Sequence, residues 1–168
     1  MAICWQYVRT NVNEFLLDQR ILNEDIENEF ERLEAIKEKA HSVSGVNISG
    51  MPKNQSYVSD RTADFGIKVV DLENEIKELI RERNDRQKLI ECMAKMLKKP
   101  TEKAVVKMRY IDSAEWEEIT NTLFGGKDDF NYKCDSYQKR VFRAHKNALE
   151  NLEAARLKYI TANCQSAD

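Results

Sequence analysis

From Val12 to Ala40 apolar side chains recur at heptad-like intervals, Val12, Phe15, Leu22, Ile26, Leu33, Ile36 and Ala40, with Leu16 and Phe30 beside the seam, and no Gly or Pro interrupts them. Steps of three and four residues bring side chains onto one face of an α-helix, so this stretch predicts one long amphipathic helix in need of a partner. Gln19 and Glu29 break the pattern. Residues 14 to 40 hold nine acidic and four basic side chains, which makes the outer face acidic.

Breakers are scarce throughout, 5 Gly and 2 Pro in 168 residues, and they cluster. The first cluster lies in HSVSGVNISGMPKNQSYVSD, residues 41 to 60, and predicts a loop of about twenty residues. Periodicity resumes over 61 to 99 with Val69, Leu72, Ile76, Leu79, Ile90, Met93 and Leu97. Arg83 and Arg86 occupy seam positions between Leu79 and Ile90, where partial exposure or charge pairing is expected. Two long helices around a loop predict a coiled-coil-like antiparallel hairpin over residues 1–99, with a homodimer through the same seams as the alternative.

Beyond residue 99 the elements shorten. Pro100 suits the first turn of a helix, and Ala104, Val105, Met108 and Ile111 share one side of it. Its polar side reads as basic, since residues 95 to 109 carry six Lys or Arg against one Glu. In DSAEWEEITNTLFGG, Asp112 or Ser113 is the expected cap, Trp116, Ile119 and Leu123 the core face, and Gly125-Gly126 the stop. A polar stretch, KDDFNYKCD, then leads to a third helix capped by Asp135 or Ser136. Its apolar stripe is Tyr137, Val141, Ala144, Ala148, Leu152, Ala155 and Tyr159.

Opposite that stripe fall Lys139, Phe142, Arg143 and Lys146. Residues 133 to 147 contain five basic side chains and one Asp, a local net of +4, whereas residues 112 to 129 contain six acids and one Lys, a local net of −5. A helix that faces phosphates needs this polarisation, because neutralising phosphates releases condensed counterions. An apolar Phe142 amid basic residues offers a contact for a thymine methyl group, the alternative being packing against the Trp116 helix.

Other chemistry finds little footing. Cys4, Cys92, Cys134 and Cys164 are far apart, form no C-x-x-C pair and have only His41 and His145 as companions, so free thiols and no bound metal are expected. There is no glycine-rich phosphate loop, and no nucleophile with a base beside it, so neither a cofactor nor enzymatic activity is expected. No apolar run approaches the roughly 18 residues of a membrane span, and the start MAICWQYVRT lacks the pattern of a secretory signal. The expected location is the cytoplasm, with no membrane partner.

The run VVKMRYIDSAEWEEITNTLFG followed by SYQKRVFRAHKNALENL resembles the promoter-reading fourth region of housekeeping sigma factors: an apolar helix, a W-E-E-I helix, then a basic recognition helix ending in A-L-x-x-L. Nearly all of the chain resembles small phage and prophage proteins of Gram-positive bacteria with sigma-like C-termini, related to the autolysin-regulatory type of late transcription regulators. Ser42 to Lys53, SVSGVNISGMPK, carries that family's linker motif.

The resemblance implies an all-α chain, the hairpin followed by a three-helix helix-turn-helix over 100–168. It implies a sequence-specific transcription regulator of phage or prophage genes in the bacterial cytoplasm. Double-stranded DNA is the implied partner, with host RNA polymerase or a second copy of the chain as further ones. Matching back from Ala148-Leu149 places the DNA-reading positions on Gln138, Lys139, Arg140, Phe142 and Arg143; Lys146 and Lys107 join Arg140 as phosphate-holding candidates. Two features depart from the sigma pattern. About ten residues, Gly125 to Cys134, stand where a helix-turn-helix has a turn of about three or four, and Phe142 stands where sigma factors tend to have a polar residue. The alternatives are a phage DNA-packaging or assembly protein that oligomerises through the hairpin, and an adaptor for RNA polymerase or a host regulator that does not bind DNA.

Overall fold

The computed structural model describes residues 10–43 and 61–164, with side chains over 10–40 and 64–160. Every regular element among them is helical: α1 Val12–Val43, α2 Arg61–Met96, α3 Pro100–Tyr110, α4 Trp116–Phe124 and α5 Phe130–Cys164. The loop expected over 41–60 falls, from residue 44 onward, outside the described residues. So do Cys4, the Ser44–Lys53 part of the linker motif, and the side chains of His41 and Cys164.

The chain forms two compact units, Leu22–Glu82 on the one hand and Met1–Ile21 with Arg83–Asp168 on the other. In the first, parts of α1 and α2 pair through buried Leu33, Leu72 and Ile76, flanked by Ile36, Val69 and Ile80. Lys37 and Glu73 join the same two helices at 2.9 Å. That short apolar seam follows the expected heptad positions at Leu33, Ile36, Val69, Leu72 and Ile76, which reach the neighbouring helix, but Ile80 takes the place expected for Leu79.

In the other unit the first turns of α1 and the end of α2 close a core with α3 and α5. Val12, Phe15, Leu16, Ile90, Met93, Leu97, Val106, Tyr110, Ala148 and Leu152 form one continuous cluster. Gln19, expected to interrupt the seam, is fully buried. Arg86, expected to be partly exposed or charge-paired, is half-buried with its guanidinium 5.4 Å from the Phe15 ring centroid. A second cluster, Val105, Ile119 and Val141, takes one residue from each of α3, α4 and α5, with Trp116, Leu123 and Ala144 packed around it.

The helix ends explain how these elements are placed. Pro100 sits in the first turn of α3, where its missing N–H costs no intrahelical bond. Neither Asp112 nor Ser113 caps α4. Ser113 takes a left-handed φ of 55°, and the cap passes to Glu115, which has extended backbone and forms a reciprocal capping box with Glu118. At the other end of α4, a Cβ on Gly125 would collide with the Asn121 carbonyl oxygen, so the residue that closes this helix has to be glycine.

After α4 the segment Gly125–Asp129 leads into one added turn from Phe130, which the non-helical Lys133 separates from the rest of α5, so the long helix proper begins about where the sequence placed it. Lys133, with φ −124° and ψ 21°, marks a kink just inside the helix. Asp129 holds this added turn: its carboxylate accepts from Lys133 Nζ and from the Tyr137 hydroxyl, both at 2.7 Å. Phe124 and Phe130 both stack on the Tyr137 ring, at 4.9 and 5.9 Å.

Candidate nucleic-acid interface

The expected apolar stripe of α5 faces inward. Tyr137, Val141, Ala148 and Leu152 are buried, and Ala144, Ala155 and Tyr159 are half-buried. With that side fixed against α3 and α4, helical geometry turns Lys139, Phe142, Arg143 and Lys146 to solvent, and all four are exposed. Gln138 is half-buried at the edge of the same face.

These side chains differ in how free they are. Arg140 is exposed, yet its guanidinium lies over the rings of Phe124 at 5.0 Å and Tyr137 at 5.5 Å, which fixes its position. Lys146 lies 3.9 Å from Glu150 one turn along, a solvent-exposed pair of little energetic weight. Lys107 is exposed on a different helix, α3. Phe142 combines the two expected outcomes. One edge meets the Trp116 ring at 5.1 Å in a T-shaped contact, and 42% of the residue stays exposed.

A surface cleft of about 200 Å³ extends this face toward α3. Arg140, Arg143 and Asn147 of α5 line it together with Lys99 and Thr101 at the start of α3. The sequence reading left Lys99 and Asn147 off the face. Their signal was weak: Asn147 is one turn beyond Arg143 and uncharged, and Lys99 is distant in the chain.

Behind the face lies a polar network that also went unread. Arg109 is 7% exposed, its guanidinium 4.3 Å from the Trp116 ring centroid, with bonds to the Ala114 carbonyl at 2.9 Å and to Glu115 at 3.1 Å. Arg20 reaches Glu115 from α1 at 3.0 Å. Hydrogen bonding and charge from Arg109, with a smaller contribution from Arg20, hold the Glu115 carboxyl below the usual Glu range. The Tyr110 hydroxyl and His145 Nε2 lie 2.8 Å apart, and Trp116 packs edge-on to the His145 ring. Burial, helped by the Arg109 charge, pushes the His145 pKa down, and burial pushes Tyr110 up.

No family model, curated protein or solved structure matches the chain. Among the described residues no cluster of His, Cys, Asp and Glu has metal-binding geometry, and Cys92 and Cys134 are free thiols. No described helix is long and apolar enough to cross a membrane. The exposed side of α5 can offer phosphates three flexible or forked cations, Lys139, Arg143 and Lys146, and can offer a base edge the Arg143 fork and the open part of the Phe142 ring.

Proposed function

We propose that the chain is a sequence-specific DNA-binding transcription regulator of phage or prophage genes. Residues 136 to 147 of α5 enter a major groove, and α3, α4 and α5 serve as a sigma-like helix-turn-helix. α1 and α2 form a helical hairpin that holds a second copy or contacts host RNA polymerase. The observation that carries the reading is the division of α5 into a buried stripe, Tyr137, Val141, Ala148 and Leu152, and an exposed basic side, Lys139, Arg143 and Lys146.

One further observation supports it. The contact between Phe142 and Trp116 fixes an apolar side chain on the basic face without burying it. Base contacts fall to Gln138, Lys139, Phe142 and Arg143, and phosphate contacts to Arg140, Lys146 and Lys107.

The test is selection of bound duplexes from a random pool at near-physiological salt. Enrichment of one motif is the expected result. Binding without enrichment favours a packaging or assembly role, and absence of salt-dependent binding favours a protein adaptor.

A further inference from the structure

The cleft of about 200 Å³ between the start of α3 and the middle of α5 gathers charge of one sign. Lys99, Arg140 and Arg143 line it against a single carboxylate, that of Glu102. This carboxylate is 2% exposed and already accepts from Lys99 Nζ at 3.1 Å and from Asn151 Nδ2 at 3.4 Å, so it adds no open anionic edge. Its effect is to hold Lys99 in place. An ammonium carries three donors, and the contact with Glu102 uses one of them.

On the α5 side, the Arg140 guanidinium lies over the Phe124 and Tyr137 rings, and neither Arg140 nor Arg143 has an ion pair among the described residues. Stacking occupies the face of a guanidinium and leaves its N–H edge for a ligand. Exposed Thr101 and half-buried Asn147 complete the lining with a hydroxyl and an amide, both able to donate. Cationic, hydroxyl and amide donors around one small volume match a phosphodiester, whose oxygens only accept.

Size and position choose the source of that phosphate. The cleft is smaller than the roughly 300 Å³ at which small-molecule sites begin, so a free nucleotide would leave its base and sugar outside, whereas one linkage of a longer strand fits. Arg143 belongs both to the cleft and to the exposed basic side of α5, so a duplex that meets this side brings its backbone to the cleft. We propose that the cleft clamps one backbone phosphate of the bound duplex between Lys99 and Thr101 at the start of α3 and Arg140 and Asn147 of α5. Lys99, Thr101 and Asn147 thereby join the DNA contacts, and α3 takes part in docking as well as supporting α5. The inference rests on the DNA-binding reading and adds to it a fixed anchor that sets the register of α5 on the duplex.

The test replaces the phosphates of a selected duplex one at a time by uncharged methylphosphonates and follows binding of the full chain by fluorescence anisotropy. One linkage is expected at which the replacement weakens the parent about tenfold, the scale of a charge-assisted contact. Lys99→Gln keeps a donor for Glu102 and loses the charge; Asn147→Leu loses the amide. Both are expected to bind all duplexes more weakly with unchanged base preference, and to lose less than about threefold further at that linkage. Lys146→Ala, whose phosphate lies elsewhere on the face, keeps the full effect there. The proposal is overturned if no single linkage stands out, or if Lys99→Gln and Asn147→Leu keep the parent's sensitivity at it. In both cases motif enrichment by the parent persists and the DNA-binding reading survives, whereas a parent that binds no duplex overturns both. Saturable binding of inorganic phosphate at sub-millimolar concentration, abolished in Lys99→Gln and with no sensitive linkage, assigns the cleft to a free phosphate and also overturns the proposal. Where circular dichroism shows either variant unfolded, Thr101→Val, at an exposed position, decides by the same criterion.

Discussion

The Tyr110 hydroxyl and His145 Nε2, 2.8 Å apart, tie the last turn of α3 to the middle of α5, on the flank of α5 between its buried stripe and Phe142. The bond links two helices that contribute to both apolar clusters of this unit, so the orientation of the basic face depends on a polar contact as well as on packing.

This contact has a pH dependence whose sign follows from its surroundings. Burial, and secondarily the Arg109 charge, holds the folded-state pKa of His145 below its ordinary value, so the fold favours the neutral ring. The unfolded chain takes up that proton near pH 6.5, roughly the ordinary value of a free histidine. The stabilisation is therefore fully present above about pH 6.5 and is lost as pH falls through the lower folded-state value. Thermal unfolding followed from about pH 7.5 to about pH 5 is expected to show a falling midpoint, and His145→Gln to flatten that fall. An equal slope in parent and variant would assign the dependence to other groups.

Arg109 is expected to be the most sensitive charged position behind the face. Its guanidinium stacks on Trp116 and bonds both the Ala114 carbonyl and Glu115, so Arg109→Ala removes three contacts and exposes one indole face to a void. A loss of about 2 to 4 kcal/mol is expected in urea unfolding monitored by Trp116 fluorescence in a Trp5→Phe background. Arg109→Lys retains the charge but not the planar fork, and is expected to recover less than about half of that loss.

The helices were legible where local periodicity decides them. The α5 stripe from Tyr137 to Leu152, the heptad positions Leu33, Leu72 and Ile76, and Pro100 in the first turn of α3 all follow from spacing or backbone chemistry along one segment. What escaped depended on contacts between segments. Glu102 and Arg109 read as part of a basic outer side of α3, yet they are buried because Asn151 and Glu115 meet them from elsewhere in the chain. The polar stretch after Gly126 read as loop because its order comes from Asp129 bonding Tyr137 and from two phenylalanines stacking on that tyrosine, neither of which has a periodic signature. The exposed side of α5 was legible as a complement of its buried stripe; the cleft that joins Lys99 to Arg143 was not, because it forms between helices.

Asp129 should control the first turn of α5 and little else. Its carboxyl sits below the usual Asp range, chiefly through the Lys133 hydrogen bond and then that of Tyr137. Its contribution is present above the unfolded value of about 3.9 and is lost as pH falls through the lower folded-state value. Asp129→Ala is expected to speed hydrogen exchange at the amides of residues 131–136 and to leave those of 141–152 unchanged. If protection falls equally along α5, the Phe130–Lys133 turn is not a separate local unit.

The basic face can be resolved into its parts by salt dependence. A side chain that neutralises a phosphate contributes a fixed decrement to the slope of log affinity against log salt, whatever the sequence. Under the proposed reading, Lys146→Ala is expected to lower the slope by about one and to weaken all duplexes alike. Arg143→Ala is expected to cost about 1 to 3 kcal/mol on a selected site and to relax its preference at one base pair. Glu150→Ala carries the opposite sign: it removes the carboxylate 3.9 Å from Lys146 and is expected to tighten binding most at low salt. Because Glu150 is exposed, that gain is expected without a change in fold, and a loss of affinity in Glu150→Ala would place the DNA on a different side of α5.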